Sequence, residues 1–315
     1  MKVLVTGAAG FIGSHLVRAL VEGGHEVSTL DDLSTGFERR LAPFKGRIRE
    51  VRGDVRDPVA VDEAIAGCEA VLHEAAIPSV ARSVLDPLAT NSASTDGTIQ
   101  VMLAAGRAGC RRVVLASSSS VYGASPQLPR HEGYLPEPRS PYAASKLAAE
   151  AYLHSMGPLV GVETVALRYF NIFGPDQDPA SEYAAVVPRF ITAALRGDPI
   201  DVHGDGLQSR DFTYVDNVVA ANLLAIEAVG ASGLTCNIGC GGRFTLLDLI
   251  AAIDAATGKR LEVHHVDPRP GDVPHSQAAI DLARDRLGYD VVVPFEEGVR
   301  RAVAWYAGNL AAKDG

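Results

Sequence analysis

The chain has 315 residues, of which 47% are hydrophobic and 21% are charged, and its formal net charge is -9. This composition is typical of a globular protein with a sizeable core and excludes the disordered and fibrous classes. The excess of 38 acidic over 29 basic side chains argues against nucleic acid or an anionic membrane surface as the main partner.

The cysteines and the N-terminus indicate the compartment. No CxxC pair or dense cysteine framework is present, so we expect reduced, buried thiols and no metal site. No apolar run reaches the length of a membrane span. The apolar stretch Val3–Val5 leads directly into a Gly-rich turn, which is not the layout of a signal peptide. We therefore expect a cytoplasmic protein without a membrane segment.

The first half of the chain alternates short apolar runs with helical patterns. The predicted strands cover residues 2–6, 25–30, 47–52, 70–73, 112–116 and 163–168, and the first predicted helix covers 11–22. Buried strands separated by helices predict an α/β fold with a doubly wound parallel sheet of the Rossmann type. After about Phe170, loops rich in Pro, Gly and Asp predict a smaller, mixed α/β lobe. We expect one domain over 1–170, rejoined by part of 212–240, and a second lobe over 171–315.

A Gly-rich turn, T-G-A-A-G-F-I-G, covers residues 6–13 between the first strand and the first helix. Gly7 permits a tight turn, Gly10 lets the backbone approach a pyrophosphate, and Gly13 allows close packing of helix on strand. Asp31 at the end of the second strand can accept hydrogen bonds from an adenosine ribose and would repel a 2′-phosphate. The pattern predicts a site for NAD rather than NADP. Asp54, after the third strand, is either an adenine contact or a helix-capping or turn aspartate.

Two further segments carry chemistry. In S-P-Y-A-A-S-K at 140–146, Ser140 is a predicted N-cap, and Tyr142 and Lys146 share one helix face. A nearby ammonium group, together with a nicotinium charge, would lower the phenol pKa from about 10 and make Tyr142 a base. The same spacing also occurs by chance on exposed helices. Four serines at 117–120 follow the fifth strand and are either hydrogen-bond donors to a substrate or a capping turn.

Four segments together resemble the extended short-chain dehydrogenase/reductase family, in particular its NAD-dependent nucleotide-sugar epimerases and dehydratases. They are T-G-A-A-G-F-I-G at 6–13, S-S-S-S-V-Y-G at 117–123, Y-A-A-S-K at 142–146 and R-Y-F-N-I-F-G-P at 168–175. The resemblance implies NAD as cofactor and a UDP-sugar as substrate. It further implies that hydride leaves the sugar C4 and returns to the other face of a transient 4-keto sugar, which inverts C4.

The resemblance also implies three groups of site residues. The implied catalytic residues are Ser118, Tyr142 and Lys146. The implied cofactor-binding residues are Gly7, Gly10, Phe11, Ile12, Gly13, Asp31, Asp54, Val55, Ala75, Ala76, Ser94, Ser117, Tyr142, Lys146 and Tyr169. The implied substrate-binding residues are Ser118, Tyr142, Asn171, Val187, Arg210, Arg269, Asp272 and Ser276. Among these, Asn171 would contact the diphosphate, the two arginines would pair with its charge, and Asp272 would hold the uridine ribose.

Several positions bear on the choice of reaction and sugar. Family dehydratases carry an Asp and a Glu where this chain has Ser119 and Ser120, so the sequence favours epimerisation. A small Ser276 leaves space for an N-acetyl group. We therefore place UDP-glucose/galactose and UDP-N-acetylhexosamines above UDP-glucuronate. A nucleotide-sugar 4-ketoreductase and a non-catalytic NAD-sensing regulator are the alternatives. Ser94 departs from the family pattern, which commonly has Asn at this position of the helix that lines the nicotinamide side of the cofactor site.

Relatives of this kind commonly form dimers through two helices of each subunit. In this chain those helices would follow Asp86 and Pro141. The resemblance therefore implies a homodimer.

Overall fold

The computed structural model describes residues 1–179, 185–268 and 273–311. The strands, in chain order, are Lys2–Thr6 (β1), Glu26–Asp31 (β2), Ile48–Arg52 (β3), Ala70–His73 (β4), Arg112–Ser118 (β5), Glu163–Tyr169 (β6), Ile172–Phe173 (β7), Ile200–His203 (β8), Ser209–Arg210 (β9), Thr213–Tyr214 (β10), Leu234–Ile238 (β11), Phe244–Thr245 (β12) and Val263–Val266 (β13). The α-helices are Phe11–Glu22 (α1), Pro58–Ile65 (α2), Val80–Leu85 (α3), Pro87–Asn91 (α4), Gly97–Ala108 (α5), Pro141–Val160 (α6), Val186–Arg196 (α7), Val215–Glu227 (α8), Leu246–Thr257 (α9), Asp281–Leu287 (α10) and Phe295–Ala311 (α11).

The centre of the molecule is a seven-stranded sheet in the order β11-β6-β5-β4-β1-β2-β3, in which every neighbouring pair is parallel. The predicted doubly wound α/β fold is therefore confirmed. The six strands predicted from the sequence are present, each end within two residues of its predicted place. The largest difference is β5, which continues to Ser118 and so carries the first two serines of the serine run.

Helices cover both faces of the sheet because its strands alternate their side chains between two cores. Val3 and Val5 of β1 point into the core that includes Leu16 of α1. Leu4, between them, points into the core that includes Val101 of α5. The central strands are buried on both sides, which explains why they appear in the sequence as continuous apolar runs.

The strand order reverses between β1 and β4, which pair side by side. The chain leaves β1 toward β2 on one side, and leaves β4 toward β5 on the other. In sheets of this type, ligands bind in the crevice that opens at this point, beyond the carboxyl ends of the strands. Here the crevice lies between the turn after Thr6 and the loop after His73.

The second half of the chain builds a smaller mixed lobe with a core of its own. Helices α7, α9 and α11 enclose an aromatic cluster in which Phe173, Phe212 and Phe295 are in contact. Parallel pairing of β8 with β13 completes this lobe. The chain also returns to the main sheet, since α8 packs against α1 and β11 pairs with β6. The boundaries of the two lobes stay a prediction.

The cysteines are free, as expected. Cys68, Cys110 and Cys236 are buried, and Cys240 is half-buried. Among the residues that the structure describes, no cluster of metal-ligating side chains and no helix fit to cross a membrane is found.

Candidate active site

The Gly-rich turn wraps tightly around the start of α1. Gly7 has a φ of +65°, and its N–H donates to the Leu30 carbonyl at 2.8 Å. A Cβ built on Gly13 would lie 2.1 Å from the Gly7 carbonyl oxygen, so only glycine fits there. Gly10 precedes the helix without a side-chain cap. The first N–H groups of α1 are therefore available to an anion, as the phosphates of a dinucleotide require.

Asp31 stands at the end of β2 beside this turn. Its carboxylate oxygens accept hydrogen bonds from the Ala9 N–H at 2.9 Å and the Leu33 N–H at 2.8 Å. Burial raises the pKa of Asp31, and these two hydrogen bonds oppose the rise. The bonds fix the carboxylate at the wall of the cleft, where a ribose would meet it.

Two cavities of about 300 and 160 Å³ adjoin at the turn and share Gly7, Asp31 and Ala75 in their linings. Ten of the predicted cofactor residues line one or both of them: Gly7, Gly10, Phe11, Ile12, Gly13, Asp31, Asp54, Val55, Ala75 and Ala76. The turn, the bare helix start and the carboxylate fit a dinucleotide with a free 2′-hydroxyl.

Asp54 takes part in a local turn. Its carboxylate accepts a hydrogen bond from the Arg56 backbone at 2.8 Å and forms an ion pair with the Arg56 guanidinium. These contacts correspond to the turn aspartate of the alternative stated above, and the N-cap of α2 is Asp57. Because Asp54 also lines the smaller cavity, the adenine contact stays a prediction.

The serine run and the Tyr–Lys helix meet at the carboxyl end of β5. Ser140 caps α6 by accepting a hydrogen bond from the Ala143 N–H at 3.1 Å, as predicted. The Ser118 hydroxyl accepts a hydrogen bond from the Ser120 N–H at 3.1 Å, and the same hydroxyl lies near the Tyr142 phenol and lowers its pKa. A serine hydroxyl and a phenol thus lie near each other at the carboxyl end of a central strand.

Lys146 lies one helical turn beyond Tyr142 and is 4% exposed. Its Nζ donates to the Ala116 carbonyl oxygen at 2.8 Å. Burial lowers the pKa of Lys146 to about 8, while Glu74 and Glu150 oppose that effect. An ammonium with a lowered pKa, fixed by the backbone of β5, can position a ribose and a phenol at once.

Burial raises the pKa of Tyr142, and the charge of Glu74 adds to the rise, while Ser118 opposes it. The lowering expected from Lys146 together with a nicotinium charge concerns the protein with NAD and stays a prediction. The sequence indicated the helical spacing of the pair but not the depth at which the phenol lies.

The remaining predicted cofactor residues surround this centre. The Ser117 hydroxyl is hydrogen-bonded to the Glu150 carboxylate. Ser94 is buried in the π-helical turn Ser92–Asp96, and its hydroxyl has no hydrogen-bond partner within the described part of the chain. The Tyr169 hydroxyl donates to the Glu74 carboxylate at 2.8 Å.

A third cavity, of about 290 Å³, lies in the smaller lobe. Three predicted substrate residues line it: Asn171, Val187 and Arg210. The Asn171 amide donates to the Asp211 carbonyl at 3.3 Å, and Arg210 Nη1 donates to the Pro274 carbonyl at 3.1 Å. The wall thus combines an amide, a guanidinium and aliphatic surface, which suits a nucleoside diphosphate.

The other predicted substrate residues have different positions. Ser276 is buried beside β9, where its N–H donates to the Ser209 carbonyl at 3.0 Å. Arg269 and Asp272 lie outside the described residues.

Several residues at the site were not predicted from the sequence. Glu74 lines the larger of the two cleft cavities, and Arg189, His203, Gln208 and Phe212 line the cavity of the smaller lobe. Glu74 directly follows the buried strand β4, and this strand-end position is a signal that could have revealed it. Arg189 lies on α7 and His203 ends β8, whereas Gln208 and Phe212 lie in loops beside β9. The sequence at these positions carries no comparable signal.

Arg40 was also missed, and it joins the two walls of the cleft. Its Nη1 donates to the Ala9 carbonyl at 2.9 Å, and its Nη2 donates to the Asp176 carbonyl. The Gly-rich turn is thereby fastened to the loop that leads into the smaller lobe.

Comparisons with known proteins agree with this architecture. UDP-glucose 4-epimerase of Mycolicibacterium smegmatis is 38% identical over 97% of this chain and 98% of its own length. The structure of Thermotoga maritima UDP-glucose 4-epimerase with UDP-glucose matches with a TM-score of 0.93 at 34% identity, covering 98% of this chain and all of that one. UDP-N-acetylglucosamine 4-epimerase of Methanobrevibacter ruminantium, solved with UDP-N-acetylmuramic acid, matches with a TM-score of 0.93 at 37% identity, covering 98% of each chain.

The family model for the NAD-dependent epimerase/dehydratase family matches residues 3–239. The match includes the Gly-rich turn, the serine run and the Tyr–Lys helix. The chain therefore belongs to the NAD-dependent epimerase/dehydratase family.

Proposed function

We propose that this protein is an NAD-dependent UDP-sugar 4-epimerase that interconverts UDP-glucose with UDP-galactose, UDP-N-acetylglucosamine with UDP-N-acetylgalactosamine, or both. The observation that carries the proposal is the placement of the buried Lys146 on the Ala116 carbonyl of β5, with Tyr142 one helical turn before it and Ser118 at the end of the same strand. The proposal agrees with the names of the relatives described above.

The residues of this chain divide the work as follows. Tyr142 takes the proton of the sugar 4-hydroxyl and later returns it, while Ser118 hydrogen-bonds the reacting oxygen. Lys146 holds the nicotinamide ribose and, as an ammonium, favours the phenolate form of Tyr142. NAD, when bound along the Gly-rich turn and Asp31, supplies the acceptor and donor of the C4 hydride. No other acid or base is required, since hydride and proton return to the same sugar.

The substrate would span from this centre to the cavity of the smaller lobe. In this proposal Asn171 and Arg210 hold the diphosphate, Val187 packs on the nucleoside, and Arg269 and Asp272 complete the site. A guanidinium suits phosphate oxygens because its planar fork donates two parallel hydrogen bonds. A local cationic site also offsets the negative charge of the protein as a whole.

The choice of reaction rests on the serine run. Ser119 and Ser120 form a 3-10 turn after β5 and offer hydroxyls where dehydratases need a carboxylic acid and a carboxylate. Epimerisation is therefore favoured over elimination of water. Ser276, a small residue, supports acceptance of 2-acetamido sugars. UDP-glucuronate and a net reduction of a 4-keto sugar remain alternatives that product analysis distinguishes.

We further propose a cytoplasmic homodimer joined through α4–α5 and α6. Large apolar side chains are exposed on these helices, with Leu88 on α4 and Leu159 on α6 each 82% exposed. Apolar surface of this kind is typical of an interface between subunits.

The test is product analysis by proton NMR of the purified protein with UDP-galactose, UDP-N-acetylgalactosamine and UDP-glucuronate, each with and without added NAD. We expect the C4 epimer of the first two, with no net change in NADH absorbance. Preferential conversion of UDP-glucuronate would contradict the proposed sugar. Stoichiometric consumption of NAD(H) would contradict the epimerase assignment and identify a reductase or dehydrogenase.

A further inference from the structure

Glu74 is a carboxyl group in the active-site cleft that the proposed reaction does not use. It follows β4 directly, at the point where the strand order reverses, and lines the same cavity as the Gly-rich turn. The Tyr169 hydroxyl donates to its Oε1 at 2.8 Å, and the Asn222 amide donates to that hydroxyl at 2.8 Å. The Tyr169 hydroxyl thus accepts a hydrogen bond from Asn222 and donates one to Glu74. This chain of two hydrogen bonds fixes the orientation of the Glu74 carboxylate.

Charged and titratable groups face Glu74 from the other elements of the site. Lys146 approaches it from α6, because its Nζ binds the carbonyl of Ala116 on β5, and the residues just before Glu74 and Ala116 are paired across β4 and β5. Tyr142 lies one helical turn before Lys146, and Tyr169 faces Glu74 from β6. Its neighbour His73 is fully buried between Thr6 and Thr98, and burial lowers the pKa of this imidazole to about 3, so it is neutral. Asp31 and Asp178 line the same cavity. Glu74 therefore lies beside one buried cation.

The second carboxylate near Lys146 is already paired. Glu150 accepts hydrogen bonds from Arg168 Nε at 2.9 Å and Nη2 at 2.7 Å, and also from Ser117. Its charge is largely compensated by this guanidinium. Of the two carboxylates that favour the charged form of Lys146, Glu74 has the larger effect.

The charge of Glu74 changes near neutral pH. Burial raises the pKa of Glu74 to about 7, and Tyr169 and Lys146 oppose that rise. A carboxylate at this place raises the pKa of both Lys146 and Tyr142, since a negative charge favours the protonated form of each.

We propose that Glu74, oriented by Tyr169 and Asn222, is a positioning residue that keeps the buried Lys146 ammonium charged and couples proton transfer at Tyr142 to the ionisation of a second carboxyl group. The inference rests on the proposed function in so far as Tyr142 is the base of the reaction. The coupling itself is a property of the protein and can be measured without a sugar.

Glu74→Gln is the deciding substitution. Glutamine can accept the same hydrogen bond from Tyr169, so the variant removes the charge and keeps the contact. Glu63→Gln is the matched control, because Glu63 is an exposed residue whose nearest cation, Arg49, is 3.7 Å away. A role limited to accepting the Tyr169 bond predicts that Glu74→Gln and the control behave alike.

The first measurement is an ultraviolet titration of the phenolate of Tyr142, isolated by subtracting the titration of the Tyr142→Phe protein. We expect the Tyr142 titration in Glu74→Gln to shift to lower pH by about one unit and to stay in place in Glu63→Gln. An unshifted titration in Glu74→Gln overturns the inference, whatever the sugar activity. If the titration shifts but the wild-type protein epimerises no UDP-sugar, the proposed function fails and the coupling stands.

The second measurement is the pH dependence of kcat with the sugar that the protein converts. We expect both limbs of the profile to move to lower pH in Glu74→Gln, because the pKa values of Tyr142 and Lys146 fall together. A uniform loss of kcat without movement of either limb would reduce Glu74 to a structural role. If Glu74→Gln fails to fold, Tyr169→Phe replaces it. Losing the donated hydrogen bond keeps Glu74 protonated to higher pH and moves the limbs in the same direction, whereas unmoved limbs overturn the inference.

Discussion

Arg168 and Glu150 form a buried ion pair with two hydrogen bonds, Nε to Oε1 at 2.9 Å and Nη2 to Oε2 at 2.7 Å. Glu150 lies on α6 one turn after Lys146, and Arg168 lies on β6. The side chains are 6% and 5% exposed, so the pair fastens the helix that carries the Tyr–Lys pair to the sheet beneath it. The ion pair thereby helps to fix the position of Lys146, whose Nζ donates to the Ala116 carbonyl.

Breaking this ion pair should strongly destabilise the fold. Glu150→Ala leaves the Arg168 guanidinium buried without its carboxylate, and we expect a loss of about 3–5 kcal/mol in the free energy of unfolding. Urea denaturation at neutral pH measures it. The control is Asp62→Ala, which removes a pair with Arg107 at 2.7 Å in which both side chains are about half exposed. This control should cost less than about 1 kcal/mol, and an equal cost for both variants would contradict the assigned role.

The Gly-rich turn should not tolerate a side chain at Gly13. The added methyl of Gly13→Ala would meet the Gly7 carbonyl oxygen, and we expect about 1–3 kcal/mol of lost stability together with weaker NAD binding. Denaturation and a fluorescence titration with NADH follow the two effects. Gly308→Ala is the control, since a Cβ on this glycine of α11 meets no atom within 4 Å. It should leave NAD binding unchanged and stabilise the helix by up to about 1 kcal/mol.

Removal of the Tyr142 hydroxyl should remove the proposed base and leave the binding site. We expect Tyr142→Phe to lower kcat by about 10²–10⁴ without a matching change in UDP affinity. Initial rates by NMR and calorimetric titration with UDP separate the two quantities. Normal turnover in this variant would refute Tyr142 as the base.

The burial of Lys146 has a cost that depends on pH. Burial lowers the pKa of this ammonium from its ordinary value of 10.5 to about 8, so at pH 7 the folded state holds a charge that the unfolded state solvates better. Between about pH 8 and 10.5 the folded protein releases this proton first, and the stability of the wild type rises with pH. Any stability advantage of Lys146→Met over the wild type at pH 7 should therefore shrink as the pH rises from about 8 to 10.5. Thermal unfolding of both proteins over the same pH range measures the difference, and a constant difference would contradict the lowered pKa.

A charge in the proposed subunit interface should weaken the dimer. Leu88 on α4 is 82% exposed, and Leu88→Glu would place a carboxylate in that interface. Light scattering coupled to gel filtration should show a dimer for the wild type and a lower mass for the variant at equal concentration. The matched control is Val229→Glu, because Val229 is 98% exposed and lies outside these helices. A monomeric wild-type protein would refute the dimer.

Local signals in the sequence predicted the main sheet and the start of α6. Buried parallel strands appear as apolar runs between helices, and the Ser140–Pro141 cap depends only on its own turn. The same holds for the Gly-rich turn, where the closeness of Gly13 to Gly7 is set by neighbouring residues. These features are short-range, so a single sequence specifies them.

Features that depend on distant residues could not be predicted in this way. The raised pKa of Tyr142 and the lowered pKa of Lys146 follow from burial, which only tertiary packing creates. Glu74 gains its importance from Tyr169, which lies far along the chain. Arg40 likewise acts through the carbonyl of Asp176, across the cleft.

The pairing of β11 with β6 has a consequence for biosynthesis. Until Leu234–Ile238 has left the ribosome, β6 is an outer strand with unpaired N–H and C=O groups, and such edges readily pair with other chains. The growing polypeptide must therefore expose this edge while the intervening segment is made. A protein truncated at residue 170 would keep the Gly-rich turn and the Tyr–Lys helix yet be prone to aggregation. Synthesis must therefore reach Ile238 of the 315 residues before the sheet of the cofactor lobe is complete.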